Sequence, residues 1–168
     1  MKKTAFIAII ALVVLCLASC SSSKNIEVSN KNTYTRGAIE GKCAVLDFQA
    51  GTNVTDEERE TISYNFRTNF HPSRYDVIAS GRVKEEMENL GYNNTGMTKE
   101  QLCEIGRKLE VKMVVIGTIN KLMDEYSVDV QVINVSKGTT AASEGNTFPK
   151  SNYRNAVKNI ALKLANKL

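Results

Sequence analysis

Apolar positions follow two regimes along this chain. Residues 5–18 form an unbroken apolar run, whereas from residue 42 onward apolar residues recur with the periods of helices and strands. Ala44-Val45-Leu46-Asp47-Phe48 is a short apolar run suited to a buried strand. Thr55 followed by Glu58 has the form of a capping box, in which each side chain accepts the other residue's free backbone N–H. Asp56 and Glu57 suit the positive end of the helix dipole there. Ile62, Phe66 and Phe70 recur every four residues, which predicts a helix that stops by Pro72. Tyr75-Asp76-Val77-Ile78-Ala79 predicts a second strand. Ser80 is placed to cap a helix carrying Val83, Met87 and Leu90 on one face, with Gly91 as its stop. After an Asn-rich loop, Thr98 and Gln101 form another capping box, and Leu102, Ile105 and Leu109 supply that helix's stripe.

Met113-Val114-Val115-Ile116-Gly117-Thr118-Ile119 is apolar on both faces, as a central strand must be. Asp124-Glu125 breaks the run. Tyr126, Val128, Val130 and Val132 then alternate with Ser127, Asp129 and Gln131, which predicts a strand with one buried and one wet face. Lys137-Gly138 predicts a turn into a weaker strand over 139–144. Pro149 and Ser151 open a last helix whose stripe is Tyr153, Val157, Ile160, Ala161, Leu164 and Leu168. Its lysines, Lys158, Lys163 and Lys167, would permit a seat on a membrane, but the stripe is better suited to covering the sheet. The order is β-α-β-α-α-β-β-β-α, a single α/β domain with a mixed sheet of about five strands and helices packed on it.

The first apolar run has a different use. Lys2 and Lys3 precede about 14 apolar residues, whereas a spanning helix needs roughly 20, so the run fits a signal-peptide h-region. It ends in Leu17-Ala18-Ser19-Cys20, which resembles the lipobox of bacterial lipoproteins. Small Ala18 and Ser19 leave the scissile bond accessible, and the Cys20 thiol is the nucleophile that takes the diacylglyceryl group. Cys20 is therefore the expected lipid-attachment residue. The expected division is a signal peptide at 1–19, a flexible tether at 20–41 and the α/β domain at 42–168. The tether's Ser, Asn, Lys and Thr have little to bury. Treated as a flexible chain it has an r.m.s. span of about 25 Å, against about 70 Å fully extended. Ser21 is not the acidic residue that commonly signals inner-membrane retention, so the periplasmic face of an outer membrane is the expected location.

Charge and cysteine usage narrow the functional classes. The chain has 22 basic and 18 acidic residues, and loss of Lys2 and Lys3 with the signal leaves the mature balance near neutral. No basic run or basic-aromatic stripe suggests a nucleic-acid partner. Cys43 and Cys103, the two cysteines outside the export segment, read as buried free thiols; a disulfide is the alternative that the compartment permits. The single histidine, His71, sits beside Pro72 at a helix end and reads as a loop residue. The acids Asp56, Glu57, Glu58 and Glu60 are accounted for by the helix dipole, and Glu85, Glu86 and Glu88 by a solvated helix face. Asp47, inside an apolar strand, is the acid expected to be partly buried, capping a neighbouring helix or loop. No phosphate-loop, serine-elbow or zinc-ligand spacing is present. The expectation is a protein that is not an enzyme and has no catalytic residue, cofactor or metal.

Several segments together resemble the curli-secretion lipoprotein (CsgG) superfamily, which includes the penicillin-binding-protein activator LpoB and the N-terminal domain of TolB. Val45-Leu46-Asp47-Phe48 before a helix resembles its opening strand. Tyr75-Asp76-Val77-Ile78, with Arg82 shortly after, is similar to its second strand and following arginine, although Ala79-Ser80-Gly81 intervene here. Leu109-Glu110-Val111-Lys112 leading into Met113-Val114-Val115-Ile116-Gly117-Thr118-Ile119 resembles its valine-rich, glycine-serine/threonine signature. Val132-Ile133-Asn134-Val135 before Lys137-Gly138 is similar to its late hairpin, where Thr-Gly is more usual. The resemblance covers about residues 42–144 and implies a TolB-N-terminal, anticodon-binding-like fold. It further implies a lipid-anchored protein that binds an envelope partner, such as a peptidoglycan synthase or a secretion component. It also allows oligomerisation, as a structural subunit of an outer-membrane complex. The transmembrane hairpins of the channel members have no counterpart here: residues 126–135 are the one stretch of suitable length, and the core sheet needs them.

Overall fold

A computed structural model of the protein describes residues 38–93 and 95–168. Strand β1 (Gly41–Val45) is followed by the two-residue strand β2 (Gln49–Ala50) and helix α1 (Asp56–Asn69). Strand β3 (Tyr75–Val77) leads to helices α2 (Ser80–Asn89) and α3 (Lys99–Lys108). Strands β4 (Met113–Leu122), β5 (Glu125–Asn134) and β6 (Thr139–Pro149) run consecutively, and a 3-10 turn (Lys150–Asn152) opens helix α4 (Tyr153–Ala165). The sheet has the order β3-β1-β4-β5-β6, with β2 added beside β4. β1 is parallel to β3 and β4, while β4, β5 and β6 are antiparallel. The expected α/β domain with a mixed sheet is what forms, with a sixth, very short strand.

The helices cover both faces of the sheet. On one face Ile62 and Phe66 of α1, Phe70 just after it, and Val157, Ile160 and Leu164 of α4 pack against Val45, Val115, Val128, Val130 and Val132. On the other, Val83 and Met87 of α2 and Leu102 and Ile105 of α3 pack against Ala44, Leu46, Val114 and Ile133. β4 is buried on both sides and lies at the middle of the sheet, as its unbroken apolar run requires. Phe48, Phe66 and Phe70 are fully buried, with successive ring centroids 5.0 and 5.2 Å apart. Each such side chain contributes about 1.5–3 kcal/mol of burial. Gly117 is where β4 passes under that stack: a Cβ there would lie 2.7 Å from Phe48 Cδ1.

The helix ends follow their sequence signals with one exception. Both capping boxes form: Thr55 Oγ1 accepts from the Glu58 N–H and Glu58 Oε2 from the Thr55 N–H, and Thr98 and Gln101 repeat the exchange. Gly91, at φ +68°, ends α2, with the Tyr92 and Gly91 N–H groups returning to the Met87 and Glu88 carbonyls. Ser80, expected as the cap of α2, is instead its first helical residue. The cap position belongs to Ala79, which offers no side-chain acceptor. The reason is that β3 ends at Val77 rather than at Ala79, so the helix begins a residue early. β1 likewise starts at Gly41 and ends at Val45, ahead of the expected 44–48 run. Among the described residues, no helix is long and apolar enough to cross a membrane.

Candidate functional site

The chain leaves β1 through α1 to reach β3 on one side, then returns through α2 and α3 on the opposite face to reach β4 on the other side. The carboxyl end of β1 is thus the topological switch point of the parallel strands, the place where α/β sheets open a crevice. A cleft of about 400 Å³ lies there, lined by Asp47 after β1, Arg59 and Arg67 of α1, and Ser80, Lys84 and Glu88 of α2. Ser63, fully buried on α1, fixes the strand end: its hydroxyl accepts the Phe48 N–H at 3.0 Å and donates to the Arg59 carbonyl at 2.7 Å.

Asp47 is the acid expected to be partly buried, and its side chain is 13% exposed. It caps no helix. It pairs with Arg67 Nη1 and lies 3.6 Å from Lys84 Nζ, so it bridges α1 to α2 across the strand end. Burial pushes its carboxyl up, but the Arg67 hydrogen bond and the charges of Arg67, Lys84 and Arg59 outweigh this and hold it below the usual carboxylate range.

A second polar node sits between α1, β4 and β5. Glu58 Oε1 accepts from Lys121 Nζ at 2.6 Å, from the Tyr126 hydroxyl at 2.6 Å and from Lys150 Nζ at 3.4 Å, while Oε2 completes the capping box. The Lys121 and Tyr126 hydrogen bonds hold the Glu58 carboxyl down to about 2 against the opposing effect of burial. Burial and the neighbouring carboxylate push the Tyr126 phenol up. Glu58 borders a cleft of about 300 Å³ shared with Thr55, Tyr126, Lys150 and Tyr153. The sequence marks Glu58 only as a capping residue. Its cationic partners, 63 and 92 residues away, carry no local signal.

Of the other residues singled out from sequence, exposed Asp56 and Glu88 line the first cleft and exposed Glu57 the second, whereas His71, Cys43, Cys103, Glu85 and Glu86 line neither. His71 is exposed, with Nε2 2.9 Å from the Thr68 carbonyl at the far end of α1. Cys43 and Cys103 are both buried free thiols and belong to the cores on opposite faces of the sheet. Burial pushes the Cys43 thiol up to about 12, which disfavours the reactive thiolate. Glu85 and Glu88 are exposed and Glu86 is half-buried. Among the described residues, no group of three His, Cys, Asp or Glu side chains is arranged to hold a metal ion. Cys20 lies outside the described residues. The two ion-pair nodes join elements across the sheet: Asp47 ties α1 to α2, and Glu58 ties α1 to β4, β5 and the turn after β6. Their chemistry suits holding a shape and presenting a charged surface.

In sequence, the chain matches no family model and no curated protein. In structure, it is similar to the NMR structure of E. coli LpoB, with a TM-score of 0.52 at 14% identity, over 64% of this chain and 55% of that one. It is also similar to the lipoprotein GNA1162 from Neisseria meningitidis, with a TM-score of 0.51 at 13% identity, over 76% of this chain and 98% of that one. The C-terminal domain of LpoB from Salmonella enterica aligns over 67% of this chain and 86% of that one, at 15% identity and a TM-score of 0.48. At these identities the likeness is one of fold, and the fold is the one found in LpoB and GNA1162.

Proposed function

We propose that this chain is a lipid-anchored, non-enzymatic lipoprotein of the outer membrane, facing the periplasm, whose α/β domain binds another envelope protein to regulate or assist cell-envelope assembly. In this reading residues 1–19 are the signal peptide, Cys20 carries the lipid and residues 20–41 are the tether. The observation that carries it is a conjunction. A chain bearing Leu17-Ala18-Ser19-Cys20 folds like the lipoprotein GNA1162, nearly all of which it covers, and like LpoB. The polar nodes support binding over catalysis, because Asp47 and Glu58 are each committed to holding two or more elements together. Activation of a peptidoglycan synthase, the role implied by the likeness to the activator group, is the specific form of the proposal.

The test is crosslinking of the full-length protein in membranes of its native cells, with wild type beside Cys20→Ala. The expected result is a discrete adduct with an envelope protein, reduced at least tenfold when the anchor is removed. An adduct of equal strength from Cys20→Ala, or no protein adduct from wild type, contradicts the proposal.

A further inference from the structure

The most exposed large apolar side chains of the described residues stand next to each other, at the tip of the β4–β5 hairpin. Leu122 is 72% exposed and Met123 87%. Leu122 pairs with Glu125, which leaves Met123 and Asp124 as a two-residue loop. Met123 has φ +54°, the left-handed region, at the first loop position. Two-residue hairpin loops place glycine or asparagine at such positive-φ positions, because a side chain there strains the backbone. This chain keeps a long apolar side chain where folding alone favours glycine, and sets a second one beside it in water. Backbone strain clusters at functional sites, and adjoining exposed apolar side chains mark an interaction surface; at Met123 the two coincide.

The tip's charge and position say what it fits. Asp124 and Glu125 flank it, both exposed, and neither enters an ion pair among the described residues. Lys121, the nearest cation in sequence, is turned inward to Glu58, and Lys150, whose N–H bonds the Asp124 carbonyl, directs its ammonium to the same carboxylate. The tip is therefore an apolar knob with two exposed acids on its C-terminal side, which an anionic lipid surface would repel. β4 runs parallel to β1, and Met113 pairs with Cys43 near the start of both strands. The ten residues of β4 then carry the tip about 30 Å along the sheet from the end at which the chain enters the domain.

The geometry points to Leu122 and Met123 as the docking knob for the protein partner, seated in an apolar pocket of that partner ringed by lysine or arginine. This rests on the proposed role as a protein-binding envelope module and names the surface that performs it.

The test places a photo-crosslinking residue at Thr147, beside Leu122 in the same surface hollow, or at exposed Lys158 on the outer side of α4, in full-length protein in native membranes. Each is combined with Met123→Gly or Leu122→Asn. Met123→Gly relieves the positive-φ strain, so its thermal midpoint should equal or exceed that of wild type, and a lost adduct cannot be laid to misfolding. The expected result is a protein adduct from position 147 that falls at least tenfold in either variant. That adduct should weaken as salt rises, and its crosslinked peptide should lie in a Lys/Arg-rimmed apolar surface. An adduct from position 147 that both variants leave unchanged overturns the knob. So does an adduct from position 158 alone, which leaves the binding role standing. Absence of a protein adduct from either position overturns both. Tip-dependent binding to phosphatidylglycerol vesicles, in place of a protein adduct, would make the knob a membrane contact and overturn the assignment.

Discussion

Glu58 gathers Lys121, Tyr126 and Lys150 on one oxygen and still closes the capping box of α1 with the other. Removing its charge leaves Lys121, only 22% exposed, without its counter-ion. Glu58→Gln should therefore cost about 1–3 kcal/mol of stability at neutral pH, measured by denaturant unfolding. The pH dependence has a definite sign. Glu58 falls from an ordinary 4.5 to about 2 on folding, and Asp47 is also lowered. Their stabilisation is complete above about pH 4.5 and is lost as pH falls through the folded value, towards about 2. Wild type should lose stability steeply across that window, and Glu58→Gln less steeply. Equal slopes would remove Glu58 from the acid response. Gly117 gives the second residue-level expectation. A Cβ there meets the Phe48 ring at 2.7–2.8 Å, so Gly117→Val should destabilise by more than about 1 kcal/mol. A melting temperature within error of wild type would contradict the close packing. Gly117 is legible in the sequence, as a glycine inside a strong apolar strand. The Glu58 node is not, because no periodicity links a helix cap to lysines on β4 and after β6.

At the scale of elements, the parts written in local chemistry are the parts that form as read. Thr55 with Glu58 and Thr98 with Gln101 specify two helix starts, and Gly91 one helix stop, because each is a self-contained exchange of backbone hydrogen bonds. Where tertiary pairing decides, the boundaries move. β6 extends from Thr139 to Pro149 rather than stopping near Glu144, because its register is dictated by β5. Its edge residues are small and polar and show no apolar period. Asp47 takes Arg67 and Lys84 as partners rather than a helix end, since both cations are delivered by helices packed on opposite faces. The layering also fixes the fate of the thiols. Cys43 faces α1 and α4, Cys103 lies under the opposite face, and the sheet stands between them. A reducing agent should leave the thermal midpoint unchanged. A fall of several degrees on reduction would mean that the two residues are bridged, and that the layers are wrongly placed.

For the whole molecule, the proposed tether limits where the domain works. With an r.m.s. reach of about 25 Å, its effective concentration is highest near the anchoring membrane and falls steeply beyond. The partner is then expected at or near that membrane, with any synthase domain projecting towards it. A 30-residue Gly/Ser insertion after Lys24 should leave function unchanged or weaken it. Stronger crosslinking to an inner-membrane synthase would instead show that the native tether is too short for its partner. All of this depends on the lipid at Cys20, so the most direct measurement is the intact mass of the full-length protein extracted by detergent from native membranes, beside Cys20→Ala. The expected wild-type mass is that of residues 20–168 plus about two or three acyl chains, and the variant is expected unacylated, uncleaved or soluble. A wild-type mass without acyl chains, or a Cys20→Ala variant identical in mass increment and membrane fractionation, would contradict the anchored reading.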